Sequence, residues 1–246
     1  MFQNTYHGTK IDLKQEDLKL PKQLKMLILG PSNSGKSTRI LEIIKNKEKI
    51  CAGNITKICY ISPNLSSPSK KDRHFHAELG KYNVFCQDSL PTEENIHDSF
   101  IPLEGQRTLL IIDDFSSQVF NDNNIRDIFE RMSNHCDLDV ILTSQSPFKS
   151  RQNYFQDIVR SASVVCIMNS LLDKKVILNL SIKFGLKKTI DNALKQAVKI
   201  YGPRAHIFIF SSYDSHLSSL YPVRTGYFSC DNPLLNYRPL FFKTLD

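Results

Sequence analysis

Short apolar runs rich in Ile, Leu and Val recur along the chain. Between them lie polar stretches in which apolar positions return every three or four residues. The runs 24–29, 57–61, 82–86, 108–112, 138–143, 163–168 and 206–210 read as strands. Most are apolar throughout instead of alternating, which is the pattern of strands buried on both faces. Helical spacing is clearest over 36–47, 124–134, 171–184 and 189–200. Strand and helix alternate through the middle of the chain, which predicts an α/β fold with a mostly parallel sheet flanked by helices. Right-handed crossovers would bring the carboxyl ends of the central strands to one edge, where such sheets bind ligands. Residues 62–76 and 87–106 read as long polar connections. Residues 214–246, with Pro222, Pro233 and Pro239 among many aromatics, read as a tail wrapped on the body or on a neighbour.

The length of 246 residues suits one large α/β domain, here 1–246 with an N-terminal extension over 1–23. No apolar run reaches the ~18 residues a spanning helix needs. The first residues lack an apolar signal core, so an intracellular protein is expected. Six cysteines are scattered with no C-x-x-C pair, and those inside strands read as reduced, buried thiols. The formal charge of +7 suits a polyanionic partner, nucleic acid first.

The chemistry is concentrated in GPSNSGKST, residues 30–38, which matches G-x-x-x-x-G-K-[ST] at every fixed position. An apolar strand precedes it and an amphipathic helix follows, the context this motif requires. Gly30, Pro31, Ser32, Asn33, Ser34 and Gly35 would turn backbone N–H groups inward around an anion, at the positive end of the helix. Lys36 could then reach the β- and γ-phosphates, Ser37 could bind Mg²⁺, and Thr38 would close the loop.

A second signal is TLLIIDDF, where a buried strand delivers Asp113 and Asp114 to its carboxyl end. Adjacent like charges there need a cation or a polar network. Asp113 is suited to hold Mg²⁺, and Asp114 to polarise an attacking water. A third strand ends in Thr143-Ser144-Gln145. If it lies beside the Asp113 strand, the Gln145 amide can donate to a γ-phosphate and accept from the water. Strand candidates between Lys36 and Asp113 suit a sheet with another strand inserted between the two motif strands. The sequence has no N-K-x-D base-reading motif of a GTPase and no L-S-G-G-Q signature of a transporter ATPase.

With these motifs in order, the chain resembles the FtsK/HerA superfamily of DNA-pumping ATPases. The likeness is to the viral genome-packaging branch found in poxviruses and Polinton/Maverick transposons. It is carried by GPSNSGKST, TLLIIDDF, SNHCDLDVILTSQSPF and, more loosely, YPVRTGYF. The resemblance implies a RecA-like (ASCE) P-loop NTPase core, ATP with Mg²⁺ and a homohexameric ring. It also implies translocation of double-stranded DNA into a capsid through a capsid or portal partner. That work would be done in the host cytoplasm or nucleus, at sites of virion assembly. Family members usually show Gln-Asn where this chain has Gln145-Ser146. Their arginine after that strand falls between Arg151 and Arg160. Arg160 is favoured because it immediately precedes the next strand and could reach a neighbour's γ-phosphate.

Two other functions fit the same loop: a helicase or replication-associated ATPase on single strands, and a nucleotide or small-molecule kinase. For the DNA path, Lys70, Lys71 and Arg73 are expected to line the ring's pore from a polar loop after the second strand. The phosphate loop carries the first prediction. Lys36→Ala should abolish tight ATP binding, measured by calorimetry, while circular dichroism shows the fold intact.

Overall fold

The computed structural model describes residues 2–6, 9–13, 19–92, 99–115, 118–145, 154–169, 178, 180–182, 184–202, 205–211, 222–225 and 240–242. An antiparallel hairpin, β1 (Phe2–Tyr6) and β2 (Thr9–Leu13), begins the chain. There follow β3 (Lys25–Leu29), α1 (Lys36–Ile50), β4 (Ile55–Ile61), α2 (Lys70–Gly80), β5 (Val84–Gln87) and β6 (Arg107–Ile112). Helix α3 runs as Asn123–Asp127, a π-helical turn Ile128–Met132, and Ser133–His135. The chain continues through β7 (Leu138–Ser144), α4 (Phe155–Ser161), β8 (Val164–Met168), α5 (Lys187–Tyr201), β9 (His206–Phe210), β10 (Val223–Thr225) and β11 (Leu240–Phe242).

Nine strands form one sheet in the order β11-β10-β9-β8-β3-β7-β6-β4-β5. From β8 to β5 every pairing is parallel, whereas β9, β10 and β11 are added antiparallel. Strand β7 lies between the phosphate-loop strand β3 and the acid-bearing strand β6. The inserted strand that the motif spacing implied is therefore the one ending in Gln145. This is the strand order of a RecA-like P-loop NTPase.

Alternation along each strand explains the two cores. Leu27 and Leu29 of β3 face a cluster completed by Ile125, Ile128 and Phe129 of α3, Ile158 of α4 and Ile190 of α5. Met26 and Ile28 point the other way, to Ile40, Ile43 and Ile44 of α1 and Leu79 of α2. A strand apolar at every position thus serves both faces.

All seven expected strands form, with ends shifted by at most two residues and 206–210 not at all. Three features differ from expectation. Residues 70–80, taken largely as part of a polar connection, form α2, whose Ser69 and Asp72 make a reciprocal capping box. Cys86, expected inside a buried strand, is exposed, because β5 is the edge of the sheet. The expected tail contributes β10 and β11 to the sheet. Cys59 and Cys166 are buried free thiols as anticipated, Cys51 just past α1 is buried as well, and burial pushes Cys59 up to about 11. Most of the helix expected over 171–184 lies outside the described residues, as does Cys230.

The amino edge of the sheet is closed by ions. Arg107 donates from Nη2 and Nε to the buried carboxylate of Asp139 (2.7 and 3.2 Å) and from Nη1 to Asp137 (3.0 Å). The Leu24 amide also donates to Asp139, at 2.7 Å. Removing the guanidinium would leave Asp139 charged, buried and short of donors. Arg107→Met should therefore lower stability by ~3–5 kcal/mol in a denaturant titration.

Candidate nucleotide-binding site

Strand β3 ends at Leu29 and the chain turns at once through Gly30, where the fold leaves no space for a side chain. A Cβ there would meet the Met168 Cβ of β8 at 2.6 Å and the Ser34 Oγ at 2.7 Å. The turn is completed by two residues in the left-handed region, Asn33 (φ 63°) and Gly35 (φ 101°). Asparagine is one of the few side chains that tolerates this conformation, and glycine adopts it without penalty. Gly35 caps α1, so the first turn of that helix points its unpaired N–H groups into the loop.

Lys36 is folded back over the loop, donating to the carbonyls of Gly30 (2.7 Å) and Pro31 (3.0 Å). Burial lowers its pKa, while Asp113 and Asp114 pull in the opposite direction. The loop, Lys36, Ser37, Thr38, both acids and Gln145 line one cleft of about 700 Å³, open solvent included.

The two acids sit in different surroundings. Asp113 is buried and accepts from the Tyr60 hydroxyl at 2.7 Å and from Thr143 Oγ1. Burial raises its pKa, and these two hydrogen bonds only partly oppose that. Asp114 is half-buried and adopts φ 63°, a left-handed conformation that aspartate, like asparagine, tolerates at a cost on the order of 1 kcal/mol. Its amide donates to Thr143 Oγ1 at 3.2 Å. Its carboxylate accepts from Gln145 Nε2 and, at 3.3 Å, from Asn64 Nδ2. Gln145 therefore meets the second acid directly, at the mouth of the cleft.

Tyr60, Asn64 and Thr143 were not singled out as site residues in the sequence. The available signal was positional: each lies at or just beyond the carboxyl end of a strand neighbouring β6. Lys71 was expected in a pore-lining loop. It belongs to the first turn of α2, lines the cleft and donates to Asn33 Oδ1 at 2.8 Å. Lys70 and Arg73 are exposed on the same turn, with Arg73 Nε directed to the Pro68 carbonyl at 3.4 Å.

Arg160 lies at the end of α4, just before β8 begins. Strands β8 and β3 are parallel, so Arg160 is on the amino edge, opposite its own phosphate loop. Its side chain is 73% exposed, with Asp157 3.7 Å away. Arg151 lies outside the described residues, as do Ser146 and most of the loop between β7 and α4.

Fold and loop together define a RecA-like P-loop NTPase fold. No protein-family model matches the sequence, and no curated protein sequence matches it. Similar solved structures include the genome packaging NTPase B204 of Sulfolobus turreted icosahedral virus 2, in complex with sulfate. That similarity has a TM-score of 0.46 and 14% identity, over 75% of this chain and 90% of that one. Flagellar accessory protein FlaH of Methanocaldococcus jannaschii gives 0.41 and 14%, over 64% and 78%. The KaiC-like protein PH0186 of Pyrococcus horikoshii OT3 gives 0.37 and 15%, over 60% and 73%.

The raised pKa of Asp113 makes a thermal prediction. Its ionised form is disfavoured in the folded state, so it lowers stability as pH rises from about 4 through the raised pKa. Asp113→Asn should remove that penalty. At neutral pH its Tm should exceed wild type by roughly 2–4 °C for each kcal/mol recovered. Below pH ~4 the gap should close, as scanning calorimetry across pH would show.

Proposed function

We propose that this chain is an ATPase that assembles into a ring and drives double-stranded DNA through it, packaging a viral genome into a capsid. One observation carries the ATPase reading. A phosphate loop with its lysine converges with two acids and a glutamine in one cleft at the carboxyl edge of a parallel sheet. The packaging step draws on the motif resemblance, including SNHCDLDVILTSQSPF, and on the basic net charge.

The donor set fits ATP with Mg²⁺. Ser37 offers a hydroxyl and Asp113 a carboxylate, both hard oxygen ligands in the same cleft. Among the described residues no group of three or more His, Cys, Asp or Glu could hold a metal unaided. Magnesium suits such a sparse site, because it keeps several waters and takes phosphate oxygens as its other ligands. When bound it would neutralise charge on the phosphates.

The protein's own groups supply the remaining chemistry. Backbone N–H groups of Ser32, Asn33 and Gly35 grip the triphosphate with Lys36, the lysine exchanging the carbonyls of Gly30 and Pro31 for phosphate oxygens. Asp114 takes the proton of the attacking water. Gln145 and Asn64 hold that carboxylate in position from either side. An arginine from the next subunit, Arg160 or Arg151, completes the site. Because Arg160 sits on the edge away from its own loop, it could serve only a neighbour's nucleotide, and hydrolysis would depend on assembly. Lys70 and Arg73, exposed beside the cleft, are our candidates for DNA-backbone contact.

The decisive experiment measures ATP hydrolysis without DNA, with double-stranded DNA and with single-stranded DNA, alongside the mass of the assembly. A ring stimulated by duplex supports the proposal. Stimulation by single strands alone would indicate a helicase-type ATPase, and turnover by a monomer indifferent to DNA a kinase. Asp114→Asn should leave ATP binding intact and reduce hydrolysis by ~10²–10⁴-fold. A near wild-type rate would remove Asp114 from the mechanism.

A further inference from the structure

Helix α2 presents Lys71, Asp72, Phe75 and His76 to the nucleotide cleft. These positions fall on one face of the helix. Its orientation is set by the cap. Ser69 Oγ accepts from the Asp72 amide, and Asp72 Oδ2 accepts from the Ser69 amide at 3.0 Å. The Asp72 carboxylate is thereby turned back on the cap, while the Lys71 ammonium reaches Asn33 Oδ1 in the middle of the phosphate loop. Two ammonium groups, Lys36 and Lys71, thus share one cleft, each held by neutral oxygens of the loop. An amide oxygen is a weak partner for an ammonium compared with a phosphate oxygen, whose charge-assisted bond is shorter and stronger.

We infer that Lys71 is a second phosphate-binding residue, which takes the terminal phosphate of a nucleoside triphosphate and sets the preference for triphosphate over diphosphate. The inference rests on the ATPase reading above. Geometry selects the terminal phosphate. Helix α2 follows β4, and β4 pairs with β6, whose end carries Asp113 and Asp114. A water polarised by Asp114 must attack a phosphorus beside the acids, so the terminal phosphate lies on the side from which Lys71 enters. Asn33 then serves as the resting partner of the ammonium, released when the third phosphate arrives.

The test is calorimetric titration of the full chain with adenylyl imidodiphosphate and with ADP, for wild type, Lys71→Ala and Lys71→Arg. Lys71→Ala should weaken the triphosphate analogue by ~10–100-fold and change ADP affinity by less than about twofold. Lys71→Arg should recover most of the loss, because it restores the charge. Lys71 is exposed, so the melting temperature of both variants should match wild type. Equal loss for both nucleotides, or no loss for either, would overturn the inference and return Lys71 to a tether between α2 and the loop. A wild-type chain that binds neither nucleotide would overturn the ATPase reading itself, and this inference with it.

Discussion

A carboxylate kept away from water inside a protein needs donors around it, and Asp113 finds them on both neighbouring strands. Tyr60 comes from β4 on one side and Thr143 from β7 on the other. The same Thr143 oxygen accepts the amide of Asp114, so one hydroxyl fixes both acids. This arrangement constrains the register of the sheet. Tyr60 must lie opposite Ile111, and Leu142 opposite Ile112, for both hydroxyls to reach Asp113. A slip of one residue on either strand would turn its hydroxyl to the other face and leave the acid without a donor. The polar site and the apolar core therefore specify the same alignment.

The central sheet was legible because its strands announce themselves. Runs such as MLIL and LLII are apolar at every position, the pattern of strands covered on both faces. The phosphate loop was legible for a different reason: its geometry demands glycine at Gly30 and a left-handed turn at Asn33 and Gly35, so the residue types are dictated. The acid pair followed from its position at the end of a buried strand. The antiparallel strands were harder to foresee. Strand β9 was visible, but its direction relative to β8 depends on where the chain crosses, which periodicity does not encode.

Helix α2 escaped notice for a physical reason that bears on the site. KKDRHFHAELG has little apolar periodicity, and only Leu79 is fully buried. A helix with so small a core contribution is held instead by its cap and by polar contacts. Its Ser-x-x-Asp box was in the sequence, although the polar surroundings suggested a loop. Reading 62–76 as a loop assigned Lys71 to a pore, and a helix there turns the same side chain to the phosphate loop. Tyr60, Asn64 and Thr143 were hidden in another way. Each is an ordinary residue whose role comes only from adjacency to β6, and adjacency follows from strand order.

The strain at this edge has a direction. Lys36 is partly desolvated, Asp113 is buried with a raised pKa, and Asp114 occupies a left-handed conformation that costs on the order of 1 kcal/mol. None of these helps the chain to fold, and under the proposed function each would improve when a triphosphate and its counter-ion bind. Under that proposal the Lys36 ammonium would gain anions, the Asp113 carboxylate a cation, and the backbone would hold Asp114 toward the water. Ligand binding to the folded state alone stabilises it by mass action, in proportion to how far it exceeds its dissociation constant. The unfavourable groups are confined to one edge, while the apolar strands and the Arg107–Asp139 pair stabilise the opposite one. That separation lets the site carry buried charge without endangering the fold.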